Sequence, residues 1–313
     1  MGAYTPHSLT ATVTVLPVPG VGPEDVLVDS EGRLVTGLAD GSVIRLTEDG
    51  QHLQRIAQTN GRPLGIEQAP DGSLVICDAI RGLLRCDPDS GEISVLVDNV
   101  NGERLRFTNN AAVARDGAIY FTDSSRRFGL DEFKGDLLAH TSSGRLLRWN
   151  PDGSVEVLIE GLAFANGVAL SVDESFVLVA ETGGYRVTRY EVTGPHAGEH
   201  RVVCDNLPGL PDNLSTGSDG IFWMAMPSER NKLLDMMLPK PGALRSAVWA
   251  LPDRFQPEAS RVTWVIGIDG EGSVRRNLHA SGTTYHYVTG VREHSGSLYL
   301  GSLAESGIAV IPL

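Results

Sequence analysis

The stretch "RFTNNAAVARDGAIYFTDSS", Arg106 to Ser125, sets two amides, Asn109 and Asn110, at the head of an apolar run that reads as a buried strand. A polar pair in that position costs free energy unless its oxygens have something to hold. Asn109 lies eight residues before Gly117, in an acidic or glycine turn that recurs at Gly32, Gly72, Glu174, Gly220 and Gly296. The same step back from those five turns lands on Glu24, Leu64, Asn166, Asp212 and Val288. Four of the six positions, Glu24, Asn109, Asn166 and Asp212, thus carry side-chain oxygen. Asn, Asp and Glu also cap strands and bond turn backbone, but Asn109, Asn166 and Asp212 head apolar runs rather than loops.

Two carboxylates and two amides are hard oxygen donors. They suit Ca²⁺, with waters completing a shell of roughly six to eight contacts, and their two negative charges balance one divalent cation. Mg²⁺ demands stricter octahedral geometry, Zn²⁺ normally recruits His or Cys, and Mn²⁺ is likewise less expected. Asn213, beside Asp212, is a candidate for a further ligand. Asn110 is a candidate ligand or a support behind the ligands.

What could bring such distant residues together is a repeat. "DSEGRLVTG", "APDGSLVIC", "ARDGAIYFT", "SVDESFVLVA", "GSDGIFWMA" and "EHSGSLYLG" each place a turn before an apolar strand, and a glycine or arginine-flanked strand such as "GSVIRL" or "GRLLRWN" follows several of them. Short alternating strands repeating at about 40 to 60 residues predict an all-β fold, a six-bladed β-propeller of four-stranded antiparallel blades. Repeat-equivalent positions are related by rotation about the central axis, so the four oxygen-bearing residues are expected to converge there. Two long spacings hold extra material, "RRFGLDEFKGDLLAH" in the third blade and a segment from about Ser228 to Tyr287, which are expected to cover one face. "NKLLDMML" in the second predicts a short helix ended by prolines. No linker or low-complexity tract divides residues 1–313, which predicts one domain.

The formal charge of −13 repels phosphate backbones, and no basic run with interleaved aromatics offsets it, so nucleic acid is not an expected partner. No stretch approaches the roughly 18 apolar residues of a membrane helix, and the opening "MGAYTPHSLTATVTVLPVPG" lacks the pattern of a secretion signal. The expectation is a cytoplasmic protein without a membrane partner. Cys77, Cys86 and Cys204 are read as buried thiols, with a Cys77–Cys86 disulfide as the alternative. Ser124 and Ser125 lack the elbow of a serine hydrolase. "GEGSVRR" lacks the P-loop ending and is read as a hairpin turn.

Taken in order, "GRPLGI", "RFTNNAAVARDGAIYFTDSS", "DLLAHTSSGRLLRWNPDG", "FANGVALSVDESFVLVAETGGYRVTRY", "LPGLPDNL" and "VTGVREHSGSLYLGSL" resemble the strictosidine synthase-like proteins, within the six-bladed group of gluconolactonases and paraoxonases. The resemblance runs from about Pro23 to the C-terminus. It implies a calcium held at Glu24, Asn109, Asn166 and Asp212, the same residues that the turn register selects. It also shows a departure: the condensing enzyme's glutamate, four residues before the "EH-x-G-x-L-Y" stretch, is Thr289 here. Threonine cannot serve as a carboxylate base, and Glu293 lies too far along the strand to replace it.

The expected chemistry is therefore hydrolysis of a lactone or ester, a small-molecule substrate, with the ion as Lewis acid and Asp212 as base or nucleophile. His286, Thr289 and Trp223 are candidates for the pocket. His140 and His279 lie in the insertions, and Met224 and Met226 accompany Trp223 on what reads as the inner strand of blade five. A non-catalytic propeller with a structural ion, or a condensing enzyme without the usual glutamate, are the alternatives.

Overall fold

The computed structural model describes residues 7–8, 13–240, 245 and 259–313. Most of the opening stretch read above for targeting, and part of the long segment after Ser228, lie outside them. Six four-stranded antiparallel sheets follow one another along the chain as the blades of a six-bladed propeller. From the innermost strand a to the outermost d, blade I comprises Leu27–Val28, Leu34–Gly37, Ser42–Leu46 and Leu53–Gln58. Blade II comprises Pro63–Gln68, Leu74–Asp78, Gly82–Cys86 and Ile93–Val97, and blade III comprises Thr108–Val113, Ile119–Asp123, Gly144–Trp149 and Val155–Leu162. Blade IV comprises Ala165–Leu170, Phe176–Glu181, Arg186–Glu191 and His200–Cys204, and blade V comprises Leu214–Thr216, Phe222–Ala225, Val262–Ile268 and Val274–Ser281. Blade VI takes Val288–His294, Ser297–Ser302 and Gly307–Pro312 from the C-terminal end, and its fourth strand, Thr14–Pro17, from the N-terminal end.

That borrowed strand completes the last blade by covering the edge of Gly307–Pro312, and so joins the two ends of the chain in one sheet. A further short strand, His7–Ser8, adds in parallel to the edge of blade V. Apolar side chains fill the space between neighbouring blades. Leu27, Val35 and Val43 of blade I meet Ile66, Ile76 and Leu84 of blade II, and Tyr299 and Ile308 of blade VI meet Leu34 and Ile44 across the closure. Cys77 packs with blade III, whereas Cys86 packs with blade I. They stand on opposite faces of blade II and form no disulfide.

All six turn residues picked out in the sequence join strands a and b with a left-handed backbone: Gly32, Gly72, Gly117, Gly220 and Gly296, and in blade IV Glu174 at φ 59°. The inner strands are irregular where the polar residues sit. Register shifts between Thr108 and Ala111, and again between Ala165 and Val168, so Asn109 and Asn166 lie in bulges that re-aim side chains out of the regular alternation. Glycines let these strands approach closely at the axis. A Cβ on Gly65 would fall 2.7 Å from the Asn110 Cα, and one on Gly167 would fall 2.2 Å from the Leu214 backbone nitrogen.

The two insertions both join strands b and c, one in blade III and one in blade V. Helix α1 (Phe133–Ala139) belongs to the first and α2 (Lys232–Met237) to the second, the latter capped by Asn231, whose Oδ1 accepts from the Leu233 and Leu234 N–H groups. Pro239 follows two residues after α2. The second excursion is shorter than the sequence reading had it, because Val262–Ile268 and Val274–Ser281 are strands c and d of blade V. "GEGSVRR" contains the turn between those strands. Trp223 is on strand b of that blade, not the inner strand.

Gly72→Ala should lower unfolding free energy by about 1 kcal/mol, since a Cβ there meets nothing and only the backbone is strained. Gly167→Ala should cost about 3 kcal/mol through backbone overlap at the axis. Urea denaturation of both variants checks this; equal losses would contradict it.

Candidate metal centre

The strands that begin at the axis deliver Glu24, Asn109, Asn166 and Asp212 to one cavity of about 50 Å³, and all four are buried. The amide nitrogens are already hydrogen-bonded. Asn109 Nδ2 donates to Ser124 Oγ at 2.9 Å, Asn166 Nδ2 to Thr182 Oγ1 at 3.0 Å, and Asn213 Nδ2 to Glu24 Oε1 at 3.0 Å. Among the buried oxygens without a hydrogen-bond partner are four on these residues: Asn109 Oδ1, Asn166 Oδ1, Asn213 Oδ1 and Glu24 Oε2. Hydroxyls thus hold the Asn109 and Asn166 amides by their nitrogens, and the Glu24 carboxylate holds Asn213 in the same way, which leaves each amide oxygen free for a hard cation.

Asn110 differs. Its Oδ1 accepts from the Val168 N–H at 2.9 Å and its Nδ2 donates to Asp25 Oδ2 at 3.2 Å, so it ties blade III to blades IV and I and has no such unpaired oxygen. Asp25, which the sequence reading did not single out, also accepts from the Val26 N–H at 2.8 Å and the Ile66 N–H at 3.3 Å. Its only sequence signal was an acid following Glu24.

Electrostatics at the hub are those of crowded acids. Burial, then the charges of Asp212 and Asp25, hold the Glu24 carboxyl well above the usual range, opposed by the buried Arg62. Burial raises Asp212 to about 8, against hydrogen bonding from the Asn166 side chain and the Asn213 backbone, and raises Asp25 to about 6. Among the described residues no group of three or more His, Cys, Asp or Glu is placed to hold a metal. The donor set is instead a mixture of carboxylate and amide, which fits Ca²⁺ better than Zn²⁺.

Above the oxygens the cavity is apolar, bordered by Leu64, Phe107, Phe164 and, from the first insertion, Phe133 and Leu137. Phe107 and Phe164 meet edge to face, with centroids 5.3 Å apart. An adjoining cavity of about 70 Å³ between α1 and α2 shares Phe133, Leu137, Leu210 and Tyr287 with it. A larger groove of about 450 Å³ near the a–b turns of blades I and II is lined by charged groups. Its arginines pair locally, Arg33 with Asp29 and Arg85 with Asp71, as solvated surface groups do.

Three residues expected in the pocket do not border it. Thr289 faces blade I and donates to the Glu24 carbonyl at 2.8 Å. Trp223 lies in the core between blades V and VI, its Nε1 donating to Glu293 Oε2 at 2.5 Å, because it sits on strand b. His286 pairs with Glu305 instead. Its neighbour Tyr287 borders both cavities, and burial and the Asp212 charge raise its phenol to about 12. His140 ends α1 in a left-handed conformation, and His279 packs against Trp264 with Nε2 3.3 Å from Glu229. Met224 and Met226 are core residues between blades IV and V.

Fold and site together define a six-bladed propeller with an oxygen-lined hub beneath an apolar roof. The chain belongs to the SMP-30/gluconolactonase/LRE-like family, whose model matches residues 40–252, and the strictosidine synthase-like N-terminal model matches residues 2–46. It is 38% identical over 309 residues to the adipocyte plasma membrane-associated protein of Gallus gallus, covering 90% of this chain and 73% of that protein. Among solved structures it resembles a gluconolactonase from Xanthomonas campestris, with a TM-score of 0.70 at 20% identity, covering 97% of this chain and 91% of that one. It also resembles a calcium-binding regucalcin from Agrobacterium tumefaciens, with a TM-score of 0.68 at 14% identity over 97% and 94% of the two chains.

The plasma membrane-associated relatives overturn the expectation of a cytoplasmic protein. That expectation rested on the lack of a long apolar run. No helix among the described residues is long and apolar enough to cross a membrane, but a protein can be bound to a membrane without such a helix.

The metal-free protein should lose stability as pH rises from about 4 to 8. Asp212 is protonated in the folded state up to about 8, while the unfolded chain releases its proton near the ordinary 3.8, so the unfolded state binds fewer protons throughout that window. Urea midpoints with chelator at pH 5 and 7.5 check this. Added calcium should raise the midpoint more at pH 7.5 than at pH 5, and a higher chelated midpoint at pH 7.5 would contradict the assignment.

Proposed function

We propose that this protein is a calcium-dependent hydrolase of a lactone or ester, with its site in the central cavity. The unpartnered oxygens of Glu24, Asn109 and Asn166, three residues that line one buried cavity with Asp212, carry the reading, and the unpartnered Asn213 Oδ1 lies next to Asp212 in the chain. Glu24, Asn109, Asn166 and Asp212 would hold the ion, with Asn213 as the further donor. A bound Ca²⁺ would supply Lewis-acid stabilisation of the negative charge that builds on the carbonyl oxygen.

The chain's own residues account for the rest. Asp212 is the base, since it borders the cavity and a carboxylate can accept a proton from an attacking water. The aromatic and leucine side chains above it exclude bulk water and strengthen each polar contact beneath. Hydrolysis is also the activity in the name of the Xanthomonas campestris gluconolactonase, and calcium the ligand in that of the regucalcin. Condensation in the manner of strictosidine synthase has no carboxylate base at Thr289, whose hydroxyl is committed to the Glu24 carbonyl, while Glu293 is held by Ser218 and Trp223.

The relatives' name favours a place at a membrane, which co-sedimentation of the expressed protein with a membrane fraction would test. For the activity, purified protein assayed on lactones, aryl esters and phosphotriesters should lose hydrolysis with chelator and regain it with Ca²⁺. Asp212→Asn should lower kcat by at least about 10²-fold while the protein remains folded by circular dichroism. Retained turnover in that variant would exclude Asp212 as the base. If calcium raises thermal stability but no substrate is turned over, the ion is structural and the propeller a binding module.

A further inference from the structure

Hydrolysis of an alkyl ester or lactone needs a second proton transfer, because the departing alkoxide is a strong base. The hydroxyls beside the hub oxygens are mostly committed. Thr182 Oγ1 donates to the Pro211 carbonyl at 2.7 Å while accepting from Asn166, and Ser124 Oγ donates to the Ala165 carbonyl at 2.7 Å while accepting from Asn109. No histidine borders either cavity among the described residues.

Tyr287 is the exception. It borders both the cavity of the oxygens and the apolar cavity between α1 and α2, and of the four residues common to the two, with Phe133, Leu137 and Leu210, it alone carries a side-chain proton donor. Its hydroxyl makes no hydrogen bond with the described residues. Its backbone is left-handed at φ 56°, an unfavourable conformation for an aromatic residue. The neighbouring residue holds it there: the His286 N–H donates to Glu305 Oε1 at 3.1 Å and its carbonyl accepts from Ser302 Oγ at 2.8 Å. Strain kept in place by surrounding bonds is a feature of functional positions.

We propose that the Tyr287 hydroxyl is the proton donor to the leaving oxygen, an inference that rests on the hydrolase reading above. In the addition step the water oxygen bonds to the carbonyl carbon as Asp212 takes one of its protons. In the collapse step the acyl carbon–oxygen bond breaks, and the leaving alkoxide takes the phenol proton of Tyr287. The phenolate then regains a proton through solvent as Asp212 releases the one it took. The products are a carboxylic acid and an alcohol, which for a lactone are one hydroxy acid.

The test is Tyr287→Phe, which keeps the ring and its packing. Turnover of a δ-lactone and of alkyl esters should fall about 10²-fold, while that of a para-nitrophenyl ester, whose leaving phenolate needs no proton, should change little. Across a series of esters, the dependence of kcat on leaving-group basicity should therefore steepen. Calcium affinity by calorimetry should match the unsubstituted protein. Equal loss on alkyl and aryl substrates, no loss on either, or weakened calcium binding would overturn the assignment of Tyr287 and leave the hydrolase reading standing. Failure of the unsubstituted protein to hydrolyse any of these substrates with calcium, or full activity in Asp212→Asn, would instead overturn the reading on which it rests.

Discussion

The structure turns on an unbalanced set of oxygens. Glu24, Asp25 and Asp212 are brought out of water at the axis, together with amides whose nitrogens are already hydrogen-bonded. A buried acceptor without a partner costs about 1–3 kcal/mol. Four of them approach the whole stability of an ordinary domain, roughly 5–15 kcal/mol. The burden falls when protons or a cation occupy the hub. Because two carboxylates resist ionising together, protons answer at low pH and a divalent ion answers at high pH. A site for a positive charge and a penalty for lacking one are the same physical fact.

Holding that arrangement is the work of the inner strands. Bulges set Asn109 and Asn166 toward the axis, and glycines at 65, 167 and 290 let blades II, IV and VI close against the polar residues of blades III, V and I. Asn110 then stitches three blades with two bonds, and Thr289 fixes the Glu24 carbonyl from the sixth. The closure of the ring by Thr14–Pro17 makes the geometry depend on both ends of the chain at once. Loss of that strand would free blade VI, and with it the support behind Glu24.

Much of this was legible because rotation turns a repeat in sequence into a circle in space. The eight-residue step from each turn found the heads of the inner strands, and the turns themselves all have the left-handed backbone that their glycines suggested. The reading failed where one residue faces either way. Trp223 was assigned to an inner strand, but the short strand Leu214–Thr216 takes that place and moves it one strand outward. Thr289 and His286 stand beside the axis in sequence, yet point to blade I and to Glu305. A strand's alternation can be read from residue types, whereas a bulge that breaks it is set by the neighbouring blade. The borrowed outer strand of blade VI was missed for a related reason: "TVLP" has no turn or partner nearby to mark it.

The roof follows from topology as well. Connections from strand b to strand c emerge on the face where the inner strands begin, so lengthening them in blades III and V lays α1 and α2 over the hub without disturbing the blades. Toward the other end of the axis, Arg292 pairs with Glu67 and donates to the Val26 carbonyl at 3.3 Å. One end of the channel is therefore apolar and the other is occupied by an ion pair. A ligand with an apolar portion gains by entering under the helices, where its burial adds roughly 25 cal/mol for each Å² removed from water. The same ligand gains nothing at the charged end. The direction of approach is thus set by where the chain spends its leucines and phenylalanines, and only the polar head of such a ligand needs to meet the oxygens at the hub.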